Sequence, residues 1–333
     1  MSTRLGVAVV GAGQVLERYH NPAINGVPEV VRSIVIDADE QRARSAAERF
    51  GFPRWSSDPA DAPRHADVAI VLVPNGWHAA ISCKLLEQGV HVLCEKPMAR
   101  NVDECLSMIE AARRGRAQLC VGHNRRFRQH FWMAREFLRR RLIGELVSVA
   151  AEEGGTQDWP RSAAYFDPAQ SGGGALMDVG IHAIDLIRWL AGEFDTVEYR
   201  GNGSTEKVES EAEMTFRLAN GANGKLLASR DRDLGQKITF TGDSGFIEVG
   251  LWETSLRIRV AKGKAFQNAP YLDIAVPRRP PQDASFVEQL RNFVLAVRGE
   301  GGLLVDGREG MAVVEVVCRA YAGEKSRALS SAG

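Results

Sequence analysis

The sequence predicts an α/β domain, a parallel sheet with helices on both faces, followed by an α+β domain built on a large, mainly antiparallel sheet. Three observations carry this. From Leu5 to Val121 short apolar runs alternate with helix-length segments, the rhythm of a parallel sheet with crossover helices. The first run ends in Gly11-Ala12-Gly13 and the second in Asp37, giving the order strand, glycine turn, helix, strand, acid. From Thr196 to Val260, strand-length runs follow one another with Asn-Gly and glycine-rich turns between them and no helical pattern.

Taken in order, Leu5 to Val10 suits a strand buried on both faces. The glycine turn lets the backbone approach a pyrophosphate. The helix from Gln14 to about His20 offers amide donors and a partial positive charge. Gly11, Gly13, Gln14 and Val15 are therefore the expected phosphate-loop contacts. Asn21-Pro22 and Asn25-Gly26 punctuate the chain after that helix. Ser33 to Ile36 is the second strand, and Asp37 would accept hydrogen bonds from an adenosine ribose.

The fingerprint departs from GxGxxG. Leu16 stands at the third glycine, so helix and strand must pack further apart there. Asp37 also comes later than the usual spacing of about twenty residues. A lone GxG marks many tight turns, but its place between a strand and a helix favours a cofactor site. A carboxylate at Asp37 welcomes two ribose hydroxyls and repels a 2′-phosphate, and Ala38 follows it rather than an arginine. NAD is the expected cofactor; Arg42 and Arg44 keep NADP possible.

Asp67 to Val73, Val90 to Cys94 and Gln118 to Val121 are the next strands. Helices run from the Pro74-Asn75-Gly76-Trp77-His78 segment to about Gln88, and from Asn101 or Asp103 to about Arg114. Gly11, Asp37, Pro74, Glu95 and Gly122 all fall at carboxyl ends of strands, where open α/β sheets bind ligands. This is a Rossmann arrangement. Lys96 precedes Pro97 and should be extended. Its ammonium could hydrogen-bond a substrate oxygen and favour the alkoxide. The alternative is a solvated Glu95-Lys96 pair of little energetic weight.

In the second half, Gln129 to Leu142 reads as a helix and Glu145 to Glu152 as a strand. A loop with Trp159, Arg161, Tyr165 and Phe166 comes next. These side chains suit stacking and hydrogen bonding to a sugar, or packing of the loop itself; Trp159 is the foremost candidate contact. Then comes Gly172-Gly173-Gly174-Ala-Leu-Met-Asp178-Val-Gly180-Ile-His182-Ala-Ile-Asp185. On a helix this puts Asp178 and His182 on neighbouring turns of one face, with Asp185 and Trp189 extending the stripe. An acid beside a histidine fixes its tautomer and supports its protonated form, the equipment of a general base. The glycines would let a bound molecule approach the backbone. Alone, a helical histidine is more often a packing residue.

Six strands should occupy the stretch between Thr196 and Val260, with one face of their sheet covering the glycine-led helix. Pro277 to Pro281 is a break. Helices from about Ala284 to Val297 and Arg308 to Ala322 close the chain, the last with a buried stripe at Met311, Val314 and Val317 or Cys318.

Composition excludes several classes. Lys+Arg and Asp+Glu are equal at 42 each, so bulk charge gives no nucleic-acid partner. There is no apolar run of about twenty residues and no signal peptide, which argues against a membrane. The five cysteines are scattered without a CxxC pair, as expected of a reduced cytoplasmic protein without a disulfide framework or zinc site.

Five motifs together resemble the Gfo/Idh/MocA oxidoreductases, nearly end to end. They are Val-Val-Gly11-Ala-Gly13, Pro74-Asn75-Gly-Trp-His78, Glu95-Lys96-Pro97, Gly122-His-Asn124-Arg125-Arg126-Phe127, and the run from the triple glycine to Asp185. The resemblance implies that Lys96 is the catalytic lysine, His182 the acid/base and Asp178 the acid beside it. It implies that Asn75 and His78, with Pro74, Glu95 and Lys96 at the strand ends, line the nicotinamide side. Asn124 and Arg125, with Trp159, Asp178 and His182, would face the substrate. It further implies a cis bond before Pro97, and a homodimer or homotetramer formed through the C-terminal sheet. The implied reaction is hydride transfer between a secondary alcohol of a sugar or inositol, or its keto form, and NAD or NADP. Redox-assisted glycoside cleavage with retained NAD and a non-catalytic dinucleotide-binding regulator are the alternatives. The expected division is a dinucleotide domain over residues 1–122 and a substrate and oligomerisation domain over 123–333, with the last helix packing back on the first as a variant.

Overall fold

A computed structural model of the chain describes residues 4–156, 163–203, 207–260, 272–276 and 284–331. The chain forms two compact units, residues 1–124 with 280–312, and residues 125–279 with 313–333.

The first unit holds β1 (Leu5–Val10), β2 (Val30–Ile36), β3 (Trp55–Ser56), β4 (Val68–Val71), β5 (His91–Cys94) and β6 (Leu119–Val121). They pair in parallel in the order β3-β2-β1-β4-β5-β6, the doubly wound order with its switch point between β1 and β4. Val7 to Val10 and Val68 to Val71 are buried throughout, as strands covered on both faces require. The helix Ala284–Val297 belongs to this unit: Leu290, Phe293 and Val294 pack with Val7, Val9 and Ile24 in one core.

The helix after the glycine turn is longer than the sequence suggests. A π turn over Leu16–His20 runs straight into the α-helix Asn21–Asn25, so Asn21-Pro22 does not end it. Pro22 lies just after the junction of the π turn and the α segment. Leu16, in place of the third glycine, is fully buried at the start of the wider π turn. The helix Glu40–Phe50 is capped by Asp39, which accepts from the Arg42 amide, and the helix Val102–Gly115 by Asn101, which accepts from the Glu104 amide.

The second unit holds β7 (Leu146–Gly154), β8 (Phe194–Gly201), β9 (Glu211–Leu218), β10 (Asn223–Ser229), β11 (Lys237–Gly242), β12 (Gly245–Gly250), β13 (Leu256–Val260) and β14 (Leu272–Asp273). Their order is β14-β13-β12-β11-β7-β10-β9-β8. Every neighbour pair is antiparallel except β7 with β10. These two therefore end at the same edge. Side chains alternate strictly along β11, where Ile238 and Phe240 are buried. That face packs on the helix Ile181–Ala191 through Ile181, Ile184 and Ile187. The final helix, Gly307–Ser331, buries Val313, Val314, Val316, Val317 and Ala320. Its stripe is rotated from the expected one, leaving Met311 and Cys318 only half-buried.

Candidate functional site

In the first unit, the ends of the parallel strands bring Gly11, Asp37, Glu95 and Gly122 to one edge. Gly11 N donates to Ile36 O (2.8 Å), Glu95 N to Val71 O (3.0 Å) and Gly122 N to Cys94 O (2.7 Å). Gly11 has φ +104°, and a Cβ there would lie 2.7 Å from the Leu72 carbonyl, so only glycine fits. A Cβ on Gly13 would meet nothing within 4 Å. Just beyond it, Gln14 Oε1 is buried with no hydrogen-bond partner among the described residues. An open backbone beside an unanswered acceptor suits a bound dinucleotide. Val15 follows, half-buried.

The Asp37 carboxylate is held at the end of β2. Oδ2 accepts from the Ala12 amide (2.9 Å) and Oδ1 from the Asp39 amide (3.0 Å), with Arg42 Nη1 at 3.3 Å from Oδ1. The acid is thus tied to the middle of the glycine turn itself.

Glu95 and Lys96 are not a loose surface pair. Glu95 Oε1 lies 2.9 Å from His20 Nε2, and Oε2 accepts from the Lys96 amide at 3.0 Å. Burial pushes the Glu95 carboxyl up, but the His20 hydrogen bond, with the charges of His20 and Lys96, outweighs it and leaves the group below its ordinary value. Gly122 is packed against this carboxylate; a Cβ on it would stand 2.8 Å from Oε2. The Lys96–Pro97 peptide bond is cis. His78 braces that turn from inside. It is buried, with Nδ1 2.7 Å from Pro97 O and Nε2 2.7 Å from Val73 O. Burial lowers its pKa, against the pull of both carbonyls. The neutral imidazole has one N–H, so it donates to one of these carbonyls and packs against the other. Pro74 and Asn75 lie between β4 and His78, with Pro74 exposed and Asn75 half-buried. Asn124 is buried and donates through Nδ2 to Ser285 Oγ (3.0 Å).

In the second unit the triple glycine serves the protein's own packing. A Cβ on Gly173 would fall 2.4 Å from the Tyr321 hydroxyl, and one on Gly174 2.1 Å from Glu209 O. The expected space for a bound molecule is filled by Tyr321 and Glu209. Glu209 Oε1 accepts from the Leu176 amide (3.0 Å) and from the Tyr321 hydroxyl (2.7 Å), while Ala175 N donates to Glu209 O (2.9 Å). This fastens the first turn of the segment that carries Asp178 and His182. That segment begins as a π turn, Leu176–Gly180, before the α-helix Ile181–Ala191. From Gly174 to Ile187 every residue is buried except Asp178 and His182.

Asp185 does not extend their stripe to solvent. It is 1% exposed and takes a bidentate ion pair from the equally buried Arg126, through Nε (3.0 Å) and Nη2 (2.7 Å). Losing one partner would strand the other charge, at a cost of about 3–5 kcal/mol. Arg125 is likewise buried, with Nη2 2.5 Å from Glu153 Oε1 and its guanidinium over the Trp252 ring at 4.9 Å. Asp178 Oδ2 accepts from the Tyr165 hydroxyl at 2.5 Å and lies 3.4 Å from Arg230 Nε. Trp159 and Arg161 lie outside the described residues.

The fold and the glycine-turn site define a dinucleotide-binding protein. A family profile described as "Oxidoreductase family, NAD-binding Rossmann fold" matches residues 5–123, and one described as "GFO/IDH/MocA C-terminal domain" matches residues 131–248. The chain belongs to the Gfo/Idh/MocA family and is an NAD(P)-dependent oxidoreductase. It is 25% identical over 327 residues to the inositol 2-dehydrogenase of Rhizobium meliloti (strain 1021), covering 94% of each chain. It is 29% identical over 267 residues to the levoglucosan dehydrogenase of Pseudarthrobacter phenanthrenivorans, covering 68% of each. Among solved structures it is similar to levoglucosan dehydrogenase in complex with NADH and levoglucosan. The TM-score is 0.85 at 23% identity, over 96% of this chain and 98% of that one. No helix among the described residues is long and apolar enough to cross a membrane.

Proposed function

We propose that this oxidoreductase moves a hydride between a secondary alcohol of a sugar or inositol, or its keto form, and NAD, with Lys96, Asp178 and His182 as its catalytic groups. One observation carries the reading. In a helical segment that is otherwise buried from Gly174 to Ile187, the acid and the imidazole alone keep partial exposure. A packing histidine would be expected to go under with its neighbours. The relatives named as inositol and levoglucosan dehydrogenases support a polyol substrate.

The bound nicotinamide supplies the hydride acceptor or donor. His182 takes the hydroxyl proton, Asp178 orients the imidazole, and the Lys96 ammonium stabilises charge building on the substrate oxygen. Gly11, Gly13, Gln14, Val15 and Asp37 hold the cofactor, with Pro74, Asn75 and the Glu95–Lys96 turn toward its nicotinamide; His78 supports that turn. NAD is preferred over NADP because the Asp37 carboxylate is fixed in place and Arg42 is drawn onto it. Asn124, Arg125 and Trp159 contact substrate; Arg125 Nη1 is buried without a hydrogen-bond partner among the described residues, which leaves a donor for it. The protein is cytoplasmic, in keeping with five free cysteines, and pairs into a dimer or tetramer through the outer face of the second sheet.

The test is NADH absorbance with a panel of sugars, inositols and their keto forms, run with NAD and NADP, beside cofactor titrations. Lys96→Ala and His182→Ala should each lower kcat by about 100-fold or more while NAD affinity changes less than about threefold. Equal losses in cofactor binding would assign both residues to structure, and tighter binding of NADP would overturn the cofactor preference. NAD binding without turnover on any member of the panel would point instead to a regulator.

A further inference from the structure

The Asp178 carboxylate is gripped by two residues that no motif picks out. The Tyr165 hydroxyl donates to Oδ2 at 2.5 Å, and Arg230 Nε stands 3.4 Å from the same oxygen. The Arg230 guanidinium carbon lies 3.9 Å from the Tyr165 ring centroid. Phenol, carboxylate and guanidinium thus form a closed triangle. Each comes from a different element: Tyr165 from the short helix Ala163–Phe166, Asp178 from the π turn, Arg230 from the residue after β10. Arg230 is anchored by its own backbone, whose N–H donates to Ser210 O at 2.8 Å, and it is only 3% exposed.

A guanidinium this deep needs a compensating anion. Asp178 Oδ2, at 3.4 Å from Nε, is an anion at ion-pair distance. In return, the Tyr165 hydrogen bond orients Oδ2, and the Arg230 charge, in ion-pair contact without a hydrogen bond from Nε among the described residues, favours the ionised acid. The cation on the ring face holds the phenol in place as well.

We propose that Tyr165 and Arg230 are positioning residues for the reaction. They commit Oδ2 of Asp178 and keep that carboxylate an oriented anion, so that His182 rather than Asp178 carries the proton during turnover. Tyr165 and Arg230 face Asp178 from the elements packed on it, and His182 lies four residues along its own segment. The proposal rests on the assignment of Asp178 and His182 to the hydride-transfer site.

The experiment compares Arg230→Gln, Arg230→Lys and Tyr165→Phe in the full chain with NAD. Arg230→Gln should lower kcat/KM by about 100-fold and leave NAD affinity within about twofold. It should also move the acidic limb of the kcat/KM profile to higher pH by about one unit or more. Arg230→Lys keeps the charge without the planar stack, so the limb should return while only part of the rate does. Tyr165→Phe should cost about tenfold, the loss of one hydrogen bond to a charged group. Independently of turnover, ¹³C-aspartate NMR on substrate-free protein should show the Asp178 carboxyl, identified by Asp178→Asn, titrating at higher pH in Arg230→Gln than in the wild type. If circular dichroism shows Arg230→Gln unfolded, Tyr165→Phe carries the comparison, its Asp178 carboxyl again expected to titrate at higher pH than in the wild type. Unmoved carboxyl titrations, or equal rate losses in Lys and Gln variants with an unmoved limb, would overturn the proposal. A wild type inactive on every polyol would sink the hydride-transfer reading and leave the carboxyl titration to decide this one.

Discussion

Gly11 and Gly13 stand two positions apart and meet different demands. Gly11 combines a left-handed φ of +104° with a backbone wall 2.7 Å away, whereas Gly13 faces open space. Gly11→Ala should therefore destabilise the protein by about 2 kcal/mol or more, seen as a lower melting temperature. Gly13→Ala should melt like the wild type yet bind NAD about tenfold more weakly or worse, because the added methyl occupies the approach to the backbone. Undiminished NAD affinity in Gly13→Ala would show that the opening serves something else. Asp37, Lys96, Asp178 and His182 were legible because each belongs to a local motif or spacing. The long-range pairs around them were not. His20 meets Glu95 across 75 positions, and Arg126 meets Asp185 across 59. Arg230, beside Asp178, carries no local signature either. Such pairs are made by tertiary packing, and spacing along the chain does not encode them.

At the level of elements, the helix after each glycine run was legible but its geometry was not. Both begin with π turns, Leu16–His20 and Leu176–Gly180. A π turn takes one extra residue and leaves no periodic mark in the sequence. The extra residue changes the angular placement of the residues beyond it, in keeping with the burial of Asp185 away from Asp178 and His182. The triple glycine was visible and its reason was not, because Tyr321 and Glu209 lie far away in the chain. The contrast between two glycines checks that reason. Gly174→Ala would drive a methyl into Glu209 O, 2.1 Å away, whereas Gly180→Ala meets its nearest neighbour, Leu176 Cδ1, at 3.0 Å, a contact a side chain can relieve. Gly174→Ala should lose about 1–3 kcal/mol in urea unfolding and Gly180→Ala distinctly less. Equal stability of the two variants would contradict the close packing at Gly174.

For the whole molecule, the two sheet types were readable because parallel strands demand continuous apolar runs and half-covered antiparallel strands demand alternation. The position of β7 was not. It precedes the other strands of its sheet in sequence yet lies between β10 and β11, and only long-range pairing puts it there. Three histidines, His78, His91 and His130, share a response to acid. Burial pushes His130 down to about 4, with Arg128 and Arg125 adding to the effect and the Gly250 carbonyl opposing it; His78 and His91 are lowered too. A histidine lowered in the folded state is protonated first in the unfolded chain. Its contribution to stability is therefore complete above the unfolded value of 6.5 and drains away as pH falls toward 4. For His130 the loss is on the order of 3 kcal/mol. Urea midpoints at about pH 7.5 and about pH 5 should drop less for His130→Gln than for the wild type; equal drops would exclude His130 as the source. The Glu209 latch bears on which molecules the protein can retain. The amides of Gly174, Ala175 and Leu176 are all answered internally, by Tyr321 and Glu209, and a carboxylate already neutralises that end of the helix dipole. These three amides are therefore not on offer to a phosphorylated ligand.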